Sequence, residues 1–176
     1  MRAKRGQAIV ETSVVLLVML AAFLFFFDFA YGVVVQLHLN NAAARVARAD
    51  AVGFNSFQRL KAARVAMLPV SGRREVPEEN RVVPGVEGEL GLVRTLMQCE
   101  NEVEVRGVLF YERWHHLNQS AKRNNGRTEA TVNFQMPLSM PSRFASLFGA
   151  RGFGGETRQL SGVWAIEDHA SYYLED

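Results

Sequence analysis

Between residues 14 and 27 no polar side chain interrupts the chain, whereas beyond Gly53 apolar and polar positions mix in ordinary proportion. The run extends over residues 9–29, within the roughly 17 to 25 positions that a membrane-spanning helix needs. It leads through Val33, Val34 and Val35 into an alanine-rich stretch, residues 41–51, of high helix propensity. Arg45 and Arg48 stand three apart there on one face, beside small alanines that allow close packing. Gly53 predicts a break. After it, Phe54, Phe57, Leu60, Lys61, Arg64, Val65 and Leu68 follow three-and-four spacing, so an amphipathic helix is expected up to Pro69, with that stripe as core.

Residues 71–91, with SGRR, PEEN and EGELG, have the composition of a loop. Strands are expected at 102–111, where Val103, Val105 and Val108 partly alternate with polar residues, and at 131–136 and 160–166. A polar loop carrying an Asn125-Gly126 turn signal separates the first two. The predicted class is α+β: a long N-terminal transmembrane helix that extends outside the membrane, then a small antiparallel sheet packed on helix. In domain terms, residues 7–53 are the helix and 54–176 an extracytoplasmic α+β domain.

Two carboxylates bound the apolar run, Glu11 near its start and Asp28 near its end. A charged side chain in hydrocarbon costs roughly 2.5 to 3.5 kcal/mol on insertion scales, so an acid in a span is a functional candidate that needs a partner. Glu11 either reaches water at the headgroup level or meets a counter-charge in assembly. Asp28 either caps the span at the outer interface or contacts a neighbouring helix. Arg2, Lys4 and Arg5 flank the start, which places the N-terminus in the cytoplasm and residues beyond about 35 outside it; Arg45 and Arg48 weaken this bias slightly.

Three readings of the N-terminus compete. One is an uncleaved anchor. Another is a secretory signal peptide with a small-x-small site at Ala30-Tyr31-Gly32; against it stand Glu11, Asp28, Phe29 and the hydrophobicity that resumes at Val33. The third takes K-R-G-Q-A-I-V-E, residues 4–11: basic residues, a glycine, then a mostly apolar helix with glutamate fifth after the glycine. This resembles type IV prepilins and pseudopilins. The resemblance implies a leader, residues 1–6, removed by a prepilin peptidase after Gly6, with Gln7 as the first mature residue and Glu11 neutralising the freed α-amino group.

Farther along, Asp28 with Phe29 and Tyr31, then Asn40, Asn41, Ala42, Ala43, Arg45, Ala47 and Arg48, extend the likeness. Together with Arg5, Gly6, Gln7, Val10 and Glu11 they resemble TadE-like minor pseudopilins of the tight-adherence, or Flp-type, pilus. The likeness is strong over about the first 50 residues and loose afterwards, where "EATVNFQMPL", "FASLF" and "TRQLSGVWAIED" are similar to the family's ending. It implies a structural role in pilus assembly, priming or capping the filament. The implied partners are the prepilin peptidase, other pilins and pseudopilins, the inner-membrane assembly platform and membrane lipid. The implied location is the bacterial inner membrane, single-pass, with the C-terminal domain periplasmic or extracytoplasmic, and with a place in the pilus as an option.

Charge and chemistry narrow the alternatives. With 20 basic and 18 acidic residues, net +2, no broad field points to nucleic acid, and none is expected as a partner. The single Cys99 cannot form an intramolecular disulfide and is read as a small buried hydrophobe. Glu112, His115, His116, Asp168 and His169 are the residues from which an acid-base or metal site would be built, but their spacing fits no zinc signature. Adjacent histidines also point to different sides. No enzyme activity and no cofactor are expected. From a different class, the alternative is a membrane-anchored or secreted ligand-binding protein, with a patch around Trp114 or Trp164.

Overall fold

The computed structural model describes residues 2–77, 88–124, 126–137 and 157–167. It has one long helix, α1 (Arg2–Ala51), followed by shorter elements: α2 (Ser56–Ala66), a 3-10 turn (Leu68–Val70), β1 (Arg74–Val76), α3 (Gly88–Gln98), α4 (Glu102–Val108), β2 (Phe110–Tyr111), a second 3-10 turn (Glu112–His116), β3 (Leu117–Asn124), β4 (Arg127–Pro137) and β5 (Thr157–Glu167). The chain is α+β, as its hydropathy pattern predicts. It divides into two compact units, Met1–Val34 with Met136–Arg158, and Val35–Gln135 with Gln159–Asp176.

In the first unit the described helix is apolar and unburied. In the second, α1 continues as a packed helix. Val35, Leu39, Ala42, Ala43, Val46 and Ala47 are fully buried, and their three-and-four spacing draws one stripe along it. The helix ends as its sequence predicts. Gly53, at φ +91°, takes the left-handed conformation a side chain resists, its N–H donates to Asp50 O at 2.9 Å, and Phe54 N–H donates to Ala49 O at 2.9 Å.

The three-stranded sheet runs β3-β4-β5, with β3 and β4 antiparallel in unbroken register from Leu117↔Phe134 to Asn124↔Arg127. Their connection falls at the Asn125-Gly126 signal, although Asn125 itself lies outside the described residues. Along β4, Ala130, Val132 and Phe134 alternate inward. β5 meets α1 at Gly162, where an added Cβ would stand 2.5 Å from Leu39 O. Beside it Gln36 Nε2 donates to Ser161 O at 2.9 Å.

A second core gathers Leu92 and Leu96 of α3, Cys99, Val105 of α4, Leu109, Phe110, Tyr111 and Trp114, with Phe57, Val65 and Val76 packed against it. Each large side chain buried there contributes about 1.5 to 3 kcal/mol before entropy is counted. Trp114 Nε1 donates to Ser71 Oγ at 2.7 Å, so the indole is buried without an orphan donor.

Three sequence expectations are corrected. Residues 102–108 form a helix instead of a strand: Asn101 Oδ1 accepts from Glu104 N–H at 2.9 Å, and this N-cap outweighs the β-branched valines. The apparent loop at 71–91 contains β1 and the start of α3, while residues 78–87 lie outside the described set. The polar stretch assigned to a loop is strand β3. Helix α2 is shorter than its stripe predicts, starting after the N-cap Asn55, and Pro69 sits in the 3-10 turn that follows. The expected strands at 131–136 and 160–166 are present within β4 and β5, and "FASLF" and the glycine-rich 149–155 lie outside the described residues.

Candidate functional site

Helix α1 carries the residues singled out for processing and assembly, Gly6, Gln7, Glu11, Asp28, Arg45 and Arg48. Gly6 and Gln7 lie in its first turns, and Glu11 follows one turn later. From Ile9 onward the large side chains stand open, as in Val10 at 62%, Leu16 at 65% and Phe26 at 71% exposure. The most apolar window of the helix has none of its residues buried inside the chain. Hydrocarbon suits such a surface, since a patch of this extent is rare on a monomer in water. Ser13 lies within the apolar stretch and donates its hydroxyl to Ile9 O at 2.8 Å, which satisfies it without water. At 1.5 Å per residue Glu11 and Asp28 stand about 25 Å apart along the axis, near the roughly 30 Å of a hydrocarbon core. That separation is compatible with a carboxylate near each face of a bilayer. By length and composition this helix is compatible with single-pass membrane anchoring.

Arg45 and Arg48 lie at the other end of α1, exposed. They line a hollow of about 630 Å³ together with Val52, Phe54, Lys61 and Met97. Lys61, buried, donates Nζ to Met97 O at 2.9 Å and to Cys99 O at 2.7 Å, closing the C-terminal end of α3, and its cation lies over the Phe57 ring at 4.9 Å. Asp50 pairs with Arg59, and its backbone carbonyl accepts from Arg123 Nη2 at 2.8 Å. The turn from α1 into α2 is thereby tied to the β-sheet.

The remaining candidates are dispersed. Cys99 is buried and donates Sγ to Thr95 O at 3.4 Å; burial first, then Glu104, pushes its thiol up, so it stays protonated at neutral pH. His115 lies tilted against Phe110, 4.7 Å between ring centroids, His116 is exposed one residue on, and Asp168 and His169 lie outside the described residues. Among the described residues, no three His, Cys, Asp or Glu side chains converge on a metal position. The sequence reading passed over Lys61 and Arg64 as functional groups. Their signal was visible as two cations on an otherwise apolar helical stripe.

Residues 6–48 match the family model of the TadE-like proteins. The match opens at Gly6 and closes at Arg48, so it takes in Glu11, Asp28 and Arg45 and the packed alanines of α1. The N-terminal segment is thus TadE-like, and the TadE-like family is a structural, pilus-associated one. No curated protein and no solved structure matches the chain.

Proposed function

We propose that this protein is a minor pseudopilin that acts structurally in assembly of a tight-adherence pilus, priming or capping the filament after a prepilin peptidase cuts behind Gly6. The observation that carries this reading is the open apolar half of α1 lying inside the TadE-like segment. Cleavage would leave residues 7–51 as the helix and free the α-amino group of Gln7, one turn from Glu11. Opposite charges 4 Å apart attract by about 4 kcal/mol at an effective dielectric of 20, against about 1 kcal/mol in water. Either charge alone in hydrocarbon is penalised, so helices that bring a Glu11 beside a neighbour's new N-terminus gain register as well as contact. Gly6 suits the cut because it places no side chain at the scissile bond. Asp28 serves as the outer marker of the span, and Arg45 and Arg48 as contacts for other subunits.

The partners in this reading are the peptidase, other pilins and pseudopilins, the assembly platform and membrane lipid. The N-terminus lies in the cytoplasm and the α+β unit outside it. The test is the intact mass of the protein extracted from membranes of cells with and without the peptidase. The expected chain begins at Gln7 only when the peptidase is present. A chain beginning at Met1 in both would mean a plain anchor and one beginning at Val33 a secreted domain, and either result overturns the reading.

A further inference from the structure

The hollow beside Arg45 and Arg48 has an apolar floor and no acid to answer its cations. Val52, Phe54 and Met97 are large exposed hydrophobics gathered on it, Val52 at 73%. The Lys61 ammonium on its wall is already spent on two carbonyls. Arg45 and Arg48 are exposed, and among the described residues neither has an ion-pair or hydrogen-bond partner. No acidic side chain is among the lining residues. Open apolar surface flanked by cations fits a segment that brings apolar side chains and carboxylates together.

One such segment belongs to this chain. Residues 168–176, DHASYYLED, follow β5 and carry Tyr172, Tyr173 and Leu174 between Asp168 and the pair Glu175 and Asp176. They lie outside the described residues, but the place they set out from is fixed. β5 runs along α1 toward its C-terminal end, since Ser161 meets Gln36 and Gly162 meets Leu39. Glu167 then pairs with Arg127 at the hairpin end of the sheet, where Arg123 reaches the Asp50 carbonyl. From Gly162 to Glu167 a strand covers about 17 Å, and from Leu39 to Asp50 a helix rises about 17 Å, so the chain leaves β5 level with the last turn of α1. At about 100° per residue, Arg48 falls on the side of α1 opposite Leu39. Half the circumference of a helix is about 16 Å, and the stretch from Glu167 to Glu175 reaches up to about 29 Å when extended. We propose that residues 168–176 wrap the end of α1 and dock in this hollow, with Tyr172, Tyr173 and Leu174 on Val52, Phe54 and Met97, and Glu175 and Asp176 against Arg45 and Arg48. The proposal concerns the free chain and does not rest on the assembly reading; a subunit that engages Arg45 and Arg48 first displaces the segment.

The full chain in detergent micelles, with Cys99→Ala to remove the native thiol, carries either Val52→Cys with Leu174→Cys or the control pair Lys122→Cys with Leu174→Cys. Lys122 is exposed on β3 near the same end of the sheet, away from the hollow. Disulfide formation driven by dipyridyl disulfide is followed by intact mass, each rate normalised to the reactivity of the same thiols, introduced singly, toward that reagent. The pair at Val52 is expected to close within one chain at least about tenfold faster than the control, because docking raises the effective concentration above that of a free tether. Arg45→Glu with Arg48→Glu is expected to remove the excess, and the further change Glu175→Arg with Asp176→Arg to restore it. Equal rates for the two pairs mean a free tether and overturn the proposal. A cross-link found at dimer mass assigns the hollow to a second copy and overturns it as well, as does an excess that survives the reversal of both arginines.

Discussion

Lys61 and Arg64 lie on the same face of α2 and show two ways of burying a cation. Lys61 spends its donors on the last carbonyls of α3, so removing it strands those carbonyls. Lys61→Met is expected to destabilise the packed unit by about 1 to 3 kcal/mol, read as a lower denaturant midpoint at unchanged slope. Arg64 keeps donors unspent, and burial pulls its guanidinium down from the usual range more than Glu102 restores it. Cys99 behaves oppositely in sign to a paired acid. Its folded-state pKa is raised, chiefly by burial, so the protonated thiol contributes stability that is fully present below the unfolded value and lost as pH rises through it toward the folded one. Stability is therefore expected to fall above about pH 9, and melting curves of Cys99→Ala should lose that component; an unchanged alkaline slope would contradict the assignment.

At the scale of elements, α4 teaches the most. Its valines alternate for three residues, and read alone they resemble a strand. Val103 is nevertheless 81% exposed while Val105 is buried and Val108 is packed against the same core, a helical face set by the Asn101 cap. Asn101→Ala is expected to cost about 0.5 to 2 kcal/mol, measured by chemical denaturation. The glycines of α4 and β5 give a paired test. An added methyl at Gly162 would meet the α1 backbone, so Gly162→Ala should destabilise by about 1 to 3 kcal/mol through forced separation of β5 from α1. Gly107 in α4 faces open space, so Gly107→Ala should instead stabilise by about 0.4 to 1 kcal/mol. Opposite signs in the two melting shifts would show that β5 seats on α1 as closely as the structure has it. Strand β3 escaped the sequence reading because its residues are polar, and the apolar face it borders belongs to β4.

For the whole molecule, one helix carries two kinds of surface. Its first half leaves its apolar side chains open, a surface compatible with membrane anchoring, and its second half is a core element whose alanines admit β5 to backbone distance. Substitution in the first half should leave the packed unit untouched. Glu11→Ala is expected to preserve cleavage and the melting of that unit while reducing surface pili, counted by electron microscopy beside the parent strain. Undiminished piliation would sink the counter-charge mechanism. Arg45 and Arg48 call for the same comparison, because both are exposed at the end of the TadE-like segment and removing their charge leaves the core intact.

The sequence by itself determined the long apolar helix, the end of α1 at Gly53, the α+β class and the TadE-like character of residues 6–48, because each rests on local signals: a contiguous apolar run, a left-handed glycine, strand alternation and a linear motif. Only the tertiary structure decided that residues 102–108 are helical, that a polar strand completes the sheet, and that Lys61 and Arg64 are buried cations with different partners. Those outcomes depend on side chains distant in sequence. Met97 and Cys99 carbonyls receive Lys61, Phe110 and Trp114 enclose Arg64, and β4 supplies the apolar face that β3 lacks; no periodicity in one segment encodes the chemistry of the segment it will meet.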